Sequence, residues 1–123
     1  MVEDVVTDGR YIGQLFASEC AGLEENPLDR LAVTDADPDA QPSPAGTLAY
    51  RLQFEGEAFA RVLLYPEAAE IHLAGDLRFP AETGAAEAIQ TPEPGVLRVE
   101  RGAAVKAAVD AVRSLLARES TGN

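Results

Sequence analysis

The stretch Thr47-Leu48-Ala49-Tyr50-Arg51-Leu52-Gln53-Phe54-Glu55-Gly56-Glu57-Ala58-Phe59-Ala60-Arg61-Val62-Leu63-Leu64-Tyr65 decides the fold. Leu48, Tyr50, Leu52 and Phe54 alternate with Thr47, Ala49, Arg51, Gln53 and Glu55, the two-residue period of a strand buried on one side. Glu55-Gly56-Glu57 turns the chain, and residues 58–65 return as a second strand. A three-residue turn with Gly56 near its end pairs Leu52 with Ala60 and Tyr50 with Val62. A two-residue turn instead pairs Tyr50 with Leu63 and Phe54 with Phe59. One residue of slip exchanges the two faces, so the outward set is either Phe59, Leu63 and Tyr65 or Ala58, Ala60, Val62 and Leu64.

Strand patterns continue on both sides of this hairpin. In residues 69–74 Ile71 and Leu73 alternate with Glu70 and His72, and residues 96–100 carry Leu97 and Val99 on one face. Residues 28–34 form a short strand with Leu31 and Val33 on one face. At the two ends the period changes to that of a helix. Ile12, Leu15, Phe16, Cys20 and Leu23 recur every three or four residues over 9–24, with Thr7 or Asp8 as the cap. Val105, Val109, Val112 and Leu116 do the same over 103–118, opposite Lys106, Asp110 and Arg113.

Two segments lack a strand pattern. Residues 35–46 combine acidic residues with Pro38, Pro42 and Pro44 and read as an acidic, proline-rich loop expected to be mobile. Residues 75–95 read as irregular, with one or two helical turns at 81–90. The expected architecture is a single α+β domain over residues 1–123, in the order α-β-β-β-β-β-α. It is an antiparallel β-meander of four or five strands, with the N-terminal and C-terminal helices packed on one face. The other face is left open, and apolar residues on it want a partner.

Composition bounds the function. The 123 residues include 21 acidic and 10 basic side chains, for a formal net charge of −11, and the only lysine is Lys106. Scattered basic residues in so acidic a chain argue against nucleic acid as a partner. No apolar run reaches the ~20 residues that span a bilayer, so no membrane partner is expected. The first residues lack the basic and apolar regions of a secretory signal. A single cysteine, Cys20, rules out an internal disulfide and fits a reducing, cytoplasmic setting. High net charge is a lever used by halophiles, because molar salt screens the self-repulsion. In this composition, in the opening Val2-Glu3-Asp4-Val5-Val6-Thr7-Asp8-Gly9-Arg10 and in Gly102-Ala103-Ala104-Val105-Lys106, the chain resembles the small uncharacterised acidic proteins of salt-in haloarchaea. That resemblance implies a high-salt cytoplasm and no particular activity.

Candidate sites are few. Arg51 and Arg61 on the hairpin, with His72 on the next strand, offer a place for a carboxylate or phosphate. His72 also shares a face with Glu70, as an acid–base couple would require. Arg101, Gly102 and Lys106 surround a helix start, where bare N–H groups attract anions. Asp35-Ala36-Asp37-Pro38-Asp39 resembles a calcium loop only in its carboxylates. Counting from Asp35, Ala40 stands where that loop needs glycine, and Gly46 where it needs a bidentate glutamate. Cys20 lies on an apolar stripe with no base in view. No catalytic set, metal site or cofactor is therefore expected, and the reading leans away from an enzyme. It favours an interaction or regulatory protein acting as a small homodimer, with Phe59, Val62, Leu63 and Tyr65 as the possible interface.

Overall fold

The computed structural model describes residues 9–22, 31–37, 39–75, 77–79 and 89–121. They form helix α1 (Gly9–Gly22), strands β1 (Leu31–Thr34), β2 (Thr47–Phe54), β3 (Glu57–Tyr65), β4 (Ala68–Leu73), β5 (Ile89–Glu93) and β6 (Val96–Val99), and helix α2 (Val105–Thr121). A short 3-10 turn, Gly102–Ala104, leads into α2. The strands make one sheet in the order β1-β2-β3-β4-β6-β5, and every neighbouring pair is antiparallel. The α+β architecture with a helix at each end is the expected one.

Two features differ from expectation. Ile89–Glu93 is a sixth strand inside the segment expected to be irregular, and Ile89 and Gln90 belong to it and not to a helix. Pro92 hid it, because proline cannot donate to a ladder and is tolerated only at an edge. β5 is such an edge: its one partner is β6, which passes between β4 and β5 and so breaks the simple meander. The remainder of the segment expected to be helical, 81–88, lies outside the described residues, as do Thr7, Asp8 and Leu23.

The hairpin settles its register by combining a tight turn with two bulges. Glu55 and Gly56 both take positive φ, 54° and 85°, as a two-residue primed turn requires. Phe54 then pairs with Glu57, not with Phe59 as expected for a two-residue turn, and Gln53 pairs with Ala58. Leu52 nevertheless pairs with Ala60, the register expected of a three-residue turn, which leaves Phe59 as an extra residue. Further along, Tyr50 pairs with Val62 while Leu48 pairs with Leu63, leaving Ala49 as the extra residue on the other strand. At each bulge two successive residues turn toward the core: Phe59 and Ala60, and Ala49 and Tyr50, are all buried.

The core lies between one sheet face and the helices. Ile12 and Phe16 of α1 and Val105, Val109, Val112 and Leu116 of α2 pack with Leu52, Val62, Leu64, Ile71, Leu97 and Val99. Fully burying one such side chain stabilises the fold by roughly 1.5–3 kcal/mol. α1 reaches the sheet closely because its facing residues are small. A Cβ on Gly9 would collide with the carbonyl oxygens of Tyr65 and Ala68, and one on Gly13 would sit 2.7 Å from Leu64 Cδ2. The connection 35–46 is pinned down rather than free. Asp37 N–H donates to Ala49 O (2.9 Å), Ser43 N–H donates to Leu64 O (3.4 Å), and Ala40 is buried.

Candidate functional site

The bulges decide which side chains populate the face opposite the helices. Pairing across the sheet gives two neighbouring rows there. One runs Thr34, Arg51, Arg61, His72 and Val96; the other runs Leu48, Leu63, Glu70, Arg98 and Gln90. Arg51, Arg61 and His72 are thus consecutive members of one cross-strand row, where side chains opposite each other start about 5 Å apart at Cβ. They line a hollow of about 270 Å³ together with Gln53, Ala58 and Ala74. Arg61 and His72 also border a second hollow of about 320 Å³, whose far side carries Arg78 and Glu93.

The two rows are chemically coupled through Glu70, a buried carboxylate. Glu70 accepts from Arg98 Nη1 at 2.8 Å and lies 2.9 Å from His72 Nε2. Arg98 Nε donates in turn to Glu100 at 3.2 Å, and the guanidinium lies 5.5 Å from the Tyr65 ring centre. Burial, the charge of Glu70 and a hydrogen bond to Glu70 raise the Tyr65 phenol, against a smaller opposing pull from Arg98. Glu70 therefore anchors His72 through Nε2 and spends its own charge locally. Arg51 reaches Asp35 at 3.5 Å across an exposed gap. Arg61 and Arg78 make no ion pair among the described residues. In a chain of net charge −11, this face concentrates Arg51, Arg61, Arg78, Arg98 and the only histidine.

The other sites expected from sequence fare differently. Phe59 and Val62 are not interface residues: they are 3% and 0% exposed and belong to the core, because the Phe59 bulge turns that part of β3 inward. Leu63 and Tyr65 remain on the open face, half-buried. Around Arg101, Gly102 and Lys106, the hollow that Gly102 and Lys106 line also holds Glu19, which sets a carboxylate beside any incoming anion. Asp37 is occupied locally, its Oδ1 accepting from Asp39 N–H at 3.0 Å. Among the described residues no three His, Cys, Asp or Glu side chains gather as a metal site would need. The side chain of Cys20 lies outside the described residues.

Sequence reasoning missed Arg98. Its contact with Glu70 spans 28 residues and depends on β6 docking beside β4, which no local pattern announces. The only available signal was that Arg98 alternates with the apolar Leu97 and Val99, which puts it on the opposite, polar face.

A model of a family of unknown function, DUF7993, matches residues 1–123. The chain belongs to that family. No curated protein and no solved structure matches it. Membership of DUF7993 brings no activity with it, so function has to be argued from the site. No helix among the described residues is long and apolar enough to cross a membrane.

Proposed function

We propose that the protein is a non-enzymatic binding protein for a small anion, held on the open sheet face by Arg51, Arg61 and His72. The observation that carries this reading is the hollow all three line, with Arg61 unpaired among the described residues. A planar guanidinium offers paired donors to a carboxylate or phosphate. Glu70 holds His72 by Nε2, and in the imidazolium form the other ring nitrogen is also a donor for an anion. Two cationic side chains kept side by side without a bridging carboxylate repel each other, and a bound anion relieves that repulsion. The test is a thermal titration with citrate and with pyrophosphate at constant ionic strength. The midpoint should rise with either ligand, and Arg61→Ala should abolish the rise while raising the unliganded midpoint slightly, because the repulsion from Arg51 is gone. A wild-type midpoint indifferent to both anions would sink the reading.

Self-association is the second reading, as a small homodimer with a regulatory role. Half-buried Leu63 and Tyr65 on the open face support it, as does the free edge of β1, where Val33 is 38% exposed. Against it stands the shortage of apolar surface: among the described residues Tyr11 and Val33 are the large hydrophobic side chains that are exposed. The acidic, lysine-poor composition supports a high-salt cytoplasm as the setting. Light scattering in molar and in ~0.1 M potassium chloride checks both ideas. A monomeric mass in molar salt rules out the dimer, and an unchanged thermal midpoint between the two salts rules out salt adaptation.

A further inference from the structure

The helix-covered side of the sheet holds a cavity of about 530 Å³ between α1, the 35–46 connection and the start of β2. Its walls are small by construction. Gly13 and Ala17 stand one turn apart on the same side of α1, and Ala40 is tucked in from the connection. The bulge turns Ala49 inward at the point where the bulkier Leu48 points to the other face. The space opens to solvent, and its volume lies within the range of about 300–1,000 Å³ usual for ligand pockets. The floor is carbon: Leu64 and the Tyr50 ring, whose hydroxyl is already satisfied by donating to Gly13 O at 2.7 Å.

The mouth is polar and carries one sign of charge. Gln14, Ser18 and Asp37 surround it, all exposed, and among the described residues no lysine or arginine lines the cavity. Asp37 is the charged side chain that the described residues place at the mouth, so an anionic head group would be repelled there. We propose that this cavity binds a small amphiphile, its apolar ring or chain on Tyr50, Ala49 and Leu64 and its neutral or cationic end at Gln14, Ser18 and Asp37. The site lies on the opposite side of the sheet from Arg61 and stands independently of the anion reading.

The experiment uses the full chain in molar potassium chloride with the apolar fluorophore N-phenyl-1-naphthylamine. Its fluorescence should rise on binding, and dodecylamine or dodecanol should displace it at least tenfold more effectively than laurate. Ala17→Leu and, separately, Ala36→Leu at the exposed rim should each weaken fluorophore binding at least tenfold with the thermal midpoint kept or raised. Asp37→Asn, which preserves the acceptor for Asp39 N–H, should narrow the advantage of dodecylamine over laurate while leaving dodecanol unaffected. No fluorescence rise with wild type, equal binding by both leucine variants, or laurate competing as well as the amine would each overturn the proposal.

Discussion

Leu97 and Arg98 are neighbours in β6 and face opposite ways, and the two sheet faces they represent are built on different principles. Leu97 is fully buried among aliphatic side chains from both helices and four strands. Its face is held by volume and close approach, with Gly9 where α1 meets the sheet backbone and Gly13 against Leu64. Arg98 sits on a face where the buried group is a carboxylate, Glu70, and where order comes from directed charge-assisted hydrogen bonds. Removing atoms from the first face leaves a hole; removing them from the second leaves an unpaired charge. A face organised by pairing also has room for cations that are left over, and Arg61 is one.

The contrast can be broken or sharpened by substitution. Gly9→Ala should have the largest effect, because its methyl group meets two backbone carbonyls that cannot rotate away. A loss of about 4 kcal/mol in urea unfolding is expected; a loss below about 1 kcal/mol would mean that α1 docks differently. Leu97→Ala should cost about 3 kcal/mol through the cavity it opens. Arg98→Ala should cost about 2 kcal/mol, less than a fully buried pair because its side chain is partly exposed. The faces also predict different remedies. Glu70→Leu added to Arg98→Ala should recover much of the loss, whereas no second substitution on the open face should rescue Leu97→Ala.

The smallest effect concerns alkaline pH. The Tyr65 phenol is raised in the folded protein, so above the ordinary tyrosine value the folded chain still holds a proton that the unfolded chain has lost. Stability contributed by that proton is complete below the ordinary value and disappears as pH rises through the folded one. Tyr65→Phe should therefore flatten the decline of the thermal midpoint in that window and lower it slightly at neutral pH through the lost hydrogen bond to Glu70. An identical alkaline decline in the variant would place the titrating group elsewhere.

Local pattern made most of the fold legible. The period of Ile12 and Phe16 and of Val105, Val109, Val112 and Leu116 located both helices, and alternation located β2, β3, β4 and β6. What escaped was non-local or against propensity. Pro92 and the short span of β5 concealed an edge strand, and the insertion of β6 beside β4 is a choice of partner that alternation cannot report. The strict alternation of Leu48 with Tyr50 and Leu52 was misleading, because the bulge at Ala49 sends Leu48 to the opposite face. At the site, parity set Arg51 and Arg61 opposite each other in only one of the two registers open from sequence, and the paired bulges select it. Parity did not reveal Glu70 as a buried anchor, since burial there depends on Arg98 arriving from β6.

The paired bulges have a consequence for how this hairpin tolerates length change. In a regular strand, gaining or losing one residue works like a shifted reading frame: every side chain downstream exchanges faces. At Phe59 and Ala49 the extra residue points the same way as its neighbour, so excising either one restores plain pairing with both faces intact. The bulges lie on opposite strands, so the one-residue offset introduced at Phe59 is cancelled at Ala49, and the hairpin leaves with the register it entered. Within β2 and β3 these two positions are where an indel is phase-neutral, and length variation in this hairpin should gather there.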